Sequence, residues 1–176
     1  MNQPKMASGE GMMAQEQMIE QKRGLTQRAK ITLVVIALLI ISPIAYYLIS
    51  PLFINVTVSE KLDSTGVQVL ARGTFVGADA IVHKAEGTAK FIRTKGNEVR
   101  VRFEEDFNAS NGPDLYVRLI KNGDVKDYVE LGKLQGNIGS QSYAVPAGTD
   151  LSRYDSVIVW CKQFSVLFGT AKLASL

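Results

Sequence analysis

One run of 19 residues without a charged side chain constrains the fold more than any other feature of this sequence. From Ile31 to Ile49 the chain reads ITLVVIALLIISPIAYYLI. At a helical rise of about 1.5 Å per residue, the run would extend about 28 Å, which matches the hydrocarbon core of a bilayer. We therefore predict a transmembrane helix over residues 31–49.

Two other structures could account for this run. A core helix of a soluble protein is amphipathic or shorter, and a helix that is apolar all round needs more protein around it than the rest of this chain supplies. A cleaved signal peptide has an apolar region of about 7–15 residues followed by small residues. Here the run ends in bulky residues, Tyr46 to Ile49. Length and flank therefore favour an uncleaved anchor over a signal peptide.

The charges on either side of the run predict its orientation. After the run, the next cation is Lys61, whereas four cations precede it closely: Lys22, Arg23, Arg28 and Lys30. Positive charge is retained on the cytoplasmic side of a membrane span. We expect a single-pass protein of the cell membrane with a cytoplasmic amino terminus and an extracytoplasmic carboxyl-terminal domain.

The remaining residues divide into three segments. Residues 1–30 are polar, contain all five methionines of the chain, and predict a cytoplasmic tail without a core of its own. Residues 50–66 end in the turn-forming sequence DSTG and predict a linker. Residues 67–174 then form one domain, because a chain that is 46% apolar and 21% charged is neither disordered nor collagen-like.

Within this domain the apolar pattern is typical of strands. Glu98 to Phe103 reads EVRVRF, which alternates between an apolar and a basic face. Asn122-Gly123 supplies the positive-φ pair of a two-residue hairpin between Asp114–Lys121 and Val125–Glu130. Further strand-like runs are Val67–Arg72, Ala80–His83, Thr88–Arg93, Gln141–Val145, Ser156–Gln163 and Ser165–Leu173. The fold class we predict is all-β, an antiparallel β-sandwich, with one helical turn at Asp150–Tyr154.

The residue counts exclude several kinds of metal, disulfide and haem site. One Cys and one His exclude an intrachain disulfide, a CxxC pair, a Cys/His zinc site, a blue-copper centre and the CxxCH attachment of c-type haem. The net charge of +3 gives no footprint for nucleic acid, and neither a Walker loop nor GxGxxG supports nucleotide binding. We expect no metal site. The acidic run Glu104–Asp106 is the best candidate for Ca²⁺, and a solvated strand end accounts for it more simply.

Cys161 is the candidate redox thiol. It lies in SVIVWCKQF, where alternation puts Val157, Val159 and Cys161 on one face. A small apolar residue of a core strand is the simplest interpretation. A lone thiol in an oxidising compartment is otherwise avoided, paired with another chain, or used. Three uses stay open: a redox thiol, a ligand to a prosthetic group, and a disulfide between two chains.

His83 is the only imidazole and Trp160 the only indole of the chain. A non-covalent haem could take His83 or Cys161 as an axial ligand, but a His/Met pair is excluded because every Met lies in the tail. Trp160 is a core aromatic or one wall of a cofactor pocket. A Cys161–His83 dyad or a serine hydrolase has no local motif in its favour, so the domain is not expected to be an enzyme on its own.

Several motifs of this domain together resemble the DM-thirteen domain family over about residues 67–174. These motifs are GTF at 73–75, HKAEGTA at 83–89, FEEDF at 103–107, NGPDLYV at 111–117, LGKLQGNIGSQSY at 131–143 and VIVWCKQFSVLFGTAKL at 157–173. The resemblance implies a β-rich module of secreted or membrane-bound proteins, with a proposed part in electron transfer at the cell surface. It places the family cysteine on Cys161, as a bare thiol or a ligand to a haem-type group, and the family histidine on His83.

Two functions follow from the sequence and the resemblance. The first is a redox or electron-transfer module outside the membrane, which predicts that Cys161 and His83 meet in one pocket and that a redox or cell-surface protein is its partner. The second is a non-catalytic adhesion or interaction domain, for which Cys161 is only a core residue.

Overall fold

The computed structural model describes residues 26–50, 53–79 and 81–176, and the chain divides into two units, residues 1–45 and 46–176. Helix α1 spans Gln27–Ile49 and begins after Thr26, whose Oγ1 accepts a hydrogen bond from the Ala29 N–H at 3.3 Å. Its 23 residues include the predicted span, 31–49, and are long and apolar enough to cross a membrane. Most of the predicted tail, residues 1–25, lies outside the described residues.

The second unit is built almost entirely of β-strands. A 3₁₀ turn, Leu151–Arg153, lies at the predicted helical turn, where the Asp150 carboxylate accepts the Ser152 N–H at 3.0 Å. The strands are β1 Thr57–Ser59, β2 Gln68–Gly77, β3 Ala85–Glu86, β4 Thr88–Arg93, β5 Val99–Phe103, β6 Asn108–Ala109, β7 Leu115–Lys121, β8 Asp124–Lys133, β9 Ile138–Ala144, β10 Ser156–Cys161, β11 Val166–Lys172 and β12 Ala174–Ser175.

The strands form one continuous ladder that folds over at β2. The order is β3-β6-β9-β5-β4-β2-β11-β10-β7-β8, with β1 added to β9 and β12 added to β2. Residues 68–74 of β2 pair with β4, and residues 75–77 pair with β11. Of these pairings only that of β1 with β9 is parallel. The two halves enclose one apolar core, so the predicted antiparallel β-sandwich is confirmed.

Alternation along β5 and β10 works as the sequence predicts. Val101 and Phe103 of β5 enter the core, and Val157, Val159 and Cys161 of β10 do the same from the other half. The predicted hairpin is also present, because Asn122 and Gly123 have positive φ angles of 49° and 78° and join β7 to β8.

Two predictions from the sequence differ from the structure. Ile81 to His83 do not form a strand, because the Asp79 carboxylate accepts the backbone N–H groups of that segment and holds them in a turn; Ala80 lies outside the described residues. The predicted linker, 50–66, contains strand β1. The Val56 N–H donates to Asn137 Oδ1 at 2.7 Å, which fixes the start of β1 against β9.

Contacts between loops define two ends of the domain. At the first, which we call the proximal end, Asn111 Nδ2 donates to Asn55 Oδ1 at 2.8 Å, the Ser110 N–H donates to the Lys84 carbonyl at 2.9 Å, and the Lys162 N–H donates to the Asp114 carbonyl at 2.9 Å. The chain enters the domain here. The opposite, distal end carries the hairpin turn at Asn122 and the loop 146–149.

Candidate functional site

Cys161 lies in the core, inside the sandwich. Its side chain is only 1% exposed and belongs to the apolar cluster that joins the two halves. Its cross-strand neighbours are Leu115 of β7 and Val166 of β11. No other chain can reach this sulfur while the fold is closed, so an interchain disulfide would need the strands around it to open.

Cys161 lies at the end of its strand, next to an exposed turn. Cys161 is the last residue of β10, and the exposed turn Lys162–Ser165 follows directly. Ser165 has a positive φ of 53°, and a backbone hydrogen bond from Lys162 to Asp114 joins the turn to the start of β7. A non-glycine residue at positive φ is strained. The end of the hairpin is therefore where local opening would expose the thiol first.

His83 lies in the loop that follows β2 and is partly exposed, with 30% of its side chain open to solvent. Its Nδ1 is 2.5 Å from Asp79 Oδ2, and its ring packs edge-on against Phe168 with centroids 4.9 Å apart. The Asp79 hydrogen bond fixes the ring and leaves Nε2 as the nitrogen without that partner.

The contacts that the structure gives for His83 and for Cys161 are different. Among the described residues, no hydrogen bond or ring contact joins the two side chains, and His83 meets the core through Phe168 instead. The cavity at the proximal end is lined by Ile54, Leu115 and Leu134, among others, and its lining includes neither candidate ligand. A haem group needs an open axial position beside a flat apolar slot, and a sealed sulfur provides neither. The closed arrangement does not fit a haem held by Cys161.

Trp160 is on the outer face of β10, opposite to Cys161, and so cannot form a wall of a pocket around the sulfur. It takes part instead in an aromatic and cationic layer over β7, β8 and β10. The Arg118 guanidinium carbon lies 4.0 Å from the Tyr128 ring centroid and 5.3 Å from that of Trp160. Arg118 also donates to Glu130 Oε2 from Nε at 3.3 Å and from Nη2 at 3.0 Å.

This outer layer covers apolar residues that no second sheet covers. Ile120 and Ile158 are fully buried although they lie outside the core cluster, and Ile158 is the cross-strand neighbour of Arg118. The long arginine side chain shields them and keeps its charge paired. Lys162 extends the layer, since its Nζ lies 3.2 Å from Glu130 Oε1 and 4.5 Å from the Tyr116 ring centroid. Alternation of Tyr116 with Arg118 was the sequence signal for this layer, and it went unrecognised.

The acidic run Glu104–Asp106 serves the fold. Asp106 accepts hydrogen bonds from the Thr88 N–H at 3.0 Å and from its hydroxyl at 2.8 Å, and Glu104 pairs with Lys90 at 2.9 Å. Within the described part of the chain, no group of three or more His, Cys, Asp or Glu side chains could hold a metal ion.

Comparison with known proteins identifies the family of this domain. A family model described as "Electron transfer DM13" matches residues 75–173, more than half of the chain. The chain belongs to the DM13 family. That description makes the DM13 domain a redox-related module in coarse terms. Neither the curated proteins nor the solved structures gave a significant match.

We predict that the loop beside His83 in the DM13 domain loosens at low pH. Hydrogen bonds from the N–H groups of Val82, His83 and Ile81, and from the His83 ring, hold the pKa of Asp79 far below its ordinary value of 3.8. A lowered pKa in the folded state stabilises the loop above pH 3.8, and this stabilisation is lost as the pH falls from there through the folded-state pKa. Protection of the Ile81 and Val82 amides against hydrogen exchange should fall over that range.

The Asp79→Ala variant should lose this protection at every pH. Glu105→Ala is the matched control, because it removes an exposed carboxylate and should leave the loop unchanged. Equal amide protection in Asp79→Ala and in the unmodified protein would contradict the assignment.

We also predict that Arg118→Ala lowers the free energy of unfolding by roughly 2–3 kcal/mol, because it uncovers Ile120 and Ile158 and removes two hydrogen bonds from Glu130. Trp160 emission should shift to longer wavelength as the ring becomes more hydrated. Arg153→Ala is the control, since that side chain is 54% exposed and should change stability by no more than about 0.5 kcal/mol. Equal effects in denaturant titrations of both variants would refute the role of Arg118.

Proposed function

We propose that this protein is a membrane-anchored DM13 module. Its domain lies on the extracytoplasmic side of the membrane and takes part in redox chemistry through Cys161. Three observations support the proposal: the family match, a helix able to span a membrane, and the placement of the only thiol of the chain at the end of a hairpin. The last of these carries the proposal, because it gives a buried thiol a route to a partner.

The proposed topology follows from the flanks of α1. Arg28 and Lys30 lie in its first turns, with Lys22 and Arg23 shortly before them, and no cation occurs between Ile31 and Glu60. This distribution favours a cytoplasmic amino terminus and an uncleaved anchor. The DM13 domain then lies in an oxidising compartment, where disulfides persist and a lone thiol needs protection.

Burial supplies that protection. In the closed fold the Cys161 thiol is buried, so neither water nor a partner protein can reach it. When the hairpin end opens, the thiol can lose its proton to solvent. The thiolate sulfur then attacks one sulfur of a disulfide in a partner protein, the S–S bond breaks, and the second sulfur leaves with the electron pair as a thiolate. No step is assigned to haem, because the closed site does not fit it.

The depth of Cys161 in the core also favours a second function. A side chain that is 1% exposed is what a purely structural cysteine would show, and the domain would then be an interaction module at the cell surface. The two functions differ in whether the thiol becomes accessible without unfolding of the whole domain.

Thiol labelling of the full chain in detergent or nanodiscs separates them. We expect Cys161 to react with a disulfide reagent slowly in the native state, at a rate that depends only weakly on urea, because local opening exposes little surface. A rate that rises with urea as steeply as global unfolding would contradict the redox role and support the interaction module. Ala147→Cys, at the distal end, provides an exposed reference thiol in a Cys161→Ala background.

The topology has a separate test. In right-side-out membrane vesicles, a membrane-impermeant maleimide should label Ala147→Cys and should spare Gln3→Cys, both in the Cys161→Ala background. The reverse pattern would place the DM13 domain in the cytoplasm. Release of a soluble domain by the cells, without the helix, would show that the apolar run is a cleaved signal peptide.

A further inference from the structure

Exposed apolar side chains of the domain concentrate at its proximal end. Two loops there carry three of them: Ile81 is 85% exposed, Val82 lies beside it, and Phe164 is 61% exposed. Phe53 and Ile54, in the segment that enters the domain, are exposed as well, and Phe53 is 80% exposed. The distal loops 94–98, 122–123 and 146–149 expose no large apolar side chain. Elsewhere in the domain Val69, Tyr128 and Leu176 are exposed, so the apolar surface is concentrated at the proximal end without being confined to it. Such a concentration indicates contact with a membrane or a partner.

The structure holds Ile81 and Val82 outward. The Asp79 carboxylate accepts their backbone N–H groups at 2.9 and 2.7 Å, and the His83 ring beside them is fixed by Asp79 and Phe168. The backbone N–H groups are therefore satisfied within the loop, while its two apolar side chains stay exposed to solvent. A loop whose polar groups are already paired can enter a less polar layer at lower cost.

The loop with Ile81 and the turn with Phe164 belong to the same end of the sandwich. The Ala78 N–H donates to the Phe168 carbonyl at 3.1 Å, and Phe168 follows closely on the turn Lys162–Ser165. The Lys162 N–H of the same turn donates a hydrogen bond to the Asp114 carbonyl. We call Ile81, Val82 and Phe164 the apolar tip.

The covalent chain indicates what covers this tip. Six peptide links separate Ile49, the last residue of α1, from Asn55. Asn55 accepts a hydrogen bond from Asn111 at the proximal end. At about 3.3–3.6 Å per residue, these links reach at most about 22 Å. If α1 spans the membrane, the proximal end cannot be further than this from the lipid surface. A weak apolar contact becomes effective when a tether this short keeps its two sides together.

Charge at this end suits a zwitterionic surface. His83 pairs with Asp79, Lys133 with Asp114, and Lys162 with Glu130. These pairs place both signs of charge around the tip, and the attraction that we propose below is apolar and does not require anionic lipid. They also limit how deep the tip can go, since the Asp79 carboxylate must stay at the level of the headgroups.

We propose that the apolar tip inserts into the interfacial layer of the membrane that anchors the chain, so that the DM13 domain docks on lipid by its proximal end. This inference rests on the proposed function, because it requires α1 to span that membrane. The occupant is the lipid of a phosphatidylcholine-like surface, met by Ile81, Val82 and Phe164 at the boundary between headgroups and acyl chains.

The test uses the full chain in phosphatidylcholine nanodiscs, with single cysteines in the Cys161→Ala background labelled by an environment-sensitive fluorophore. The label at Ile81→Cys should be quenched several-fold more by lipid that carries a nitroxide near the headgroup than the label at Ala147→Cys, the distal control. Phe164→Ser should reduce the quenching at position 81, because it removes part of the tip. All of these positions are exposed, so the substitutions should leave the fold intact.

A third label separates failure of docking from failure of anchoring. A label at Leu39→Cys, within α1, should be quenched by lipid with a nitroxide deep in the acyl chains if the helix spans the bilayer. Quenching at position 39 with equal, low quenching at positions 81 and 147 would overturn the docking proposal alone. Absence of quenching at position 39 would overturn both proposals. Quenching at position 81 that appears only with anionic lipid would overturn the apolar mode of docking.

Discussion

Strand β2 is the element on which the rest of this domain depends, because both halves of the sandwich are hydrogen-bonded to it. Its first part pairs with β4 and its last three residues with β11, so the ladder turns over within a single strand. Phe75 lies at this change of partner and packs against Phe103 at 5.0 Å and Phe107 at 5.4 Å between ring centroids. A chain that bends one ladder around such an aromatic cluster closes its core without a helix.

The closed core determines what chemistry the DM13 domain can do. Cys161 faces the inside of the sandwich and Trp160 the outside, because consecutive residues of a strand point to opposite faces. The indole therefore stabilises the outer layer with Arg118, while the thiol is kept from solvent by the same strand. An electron-transfer partner cannot meet both side chains from one side. Redox activity of this thiol has to depend on movement at the end of the hairpin, and not on a pocket prepared in advance.

Local patterns in the sequence predicted the parts of the fold that local forces determine. Alternation placed Val157, Val159 and Cys161 together, and Asn122-Gly123 predicted its hairpin, since positive φ at two successive residues selects that turn. Contacts between distant residues were beyond this kind of reasoning. Strand β1 depends on Asn137, some 80 residues away, and the position of the His83 ring depends on its packing against Phe168. Ala80–His83 resembled a strand because its apolar side chains were read as core, whereas the Asp79 carboxylate turns the backbone there.

The proposed docking on lipid and the proposed opening at the thiol would involve the same turn. The turn that must move to uncover Cys161 is Lys162–Ser165, and this turn carries Phe164 of the apolar tip. With Phe164 held in the interfacial layer, the turn moves only if the phenyl ring leaves the lipid or the opening occurs against the membrane surface. In both cases the membrane adds to the free energy of opening, because the apolar contact has to be broken first. A docked domain would thus keep its thiol closed, and release from the lipid would make the thiol available to a partner.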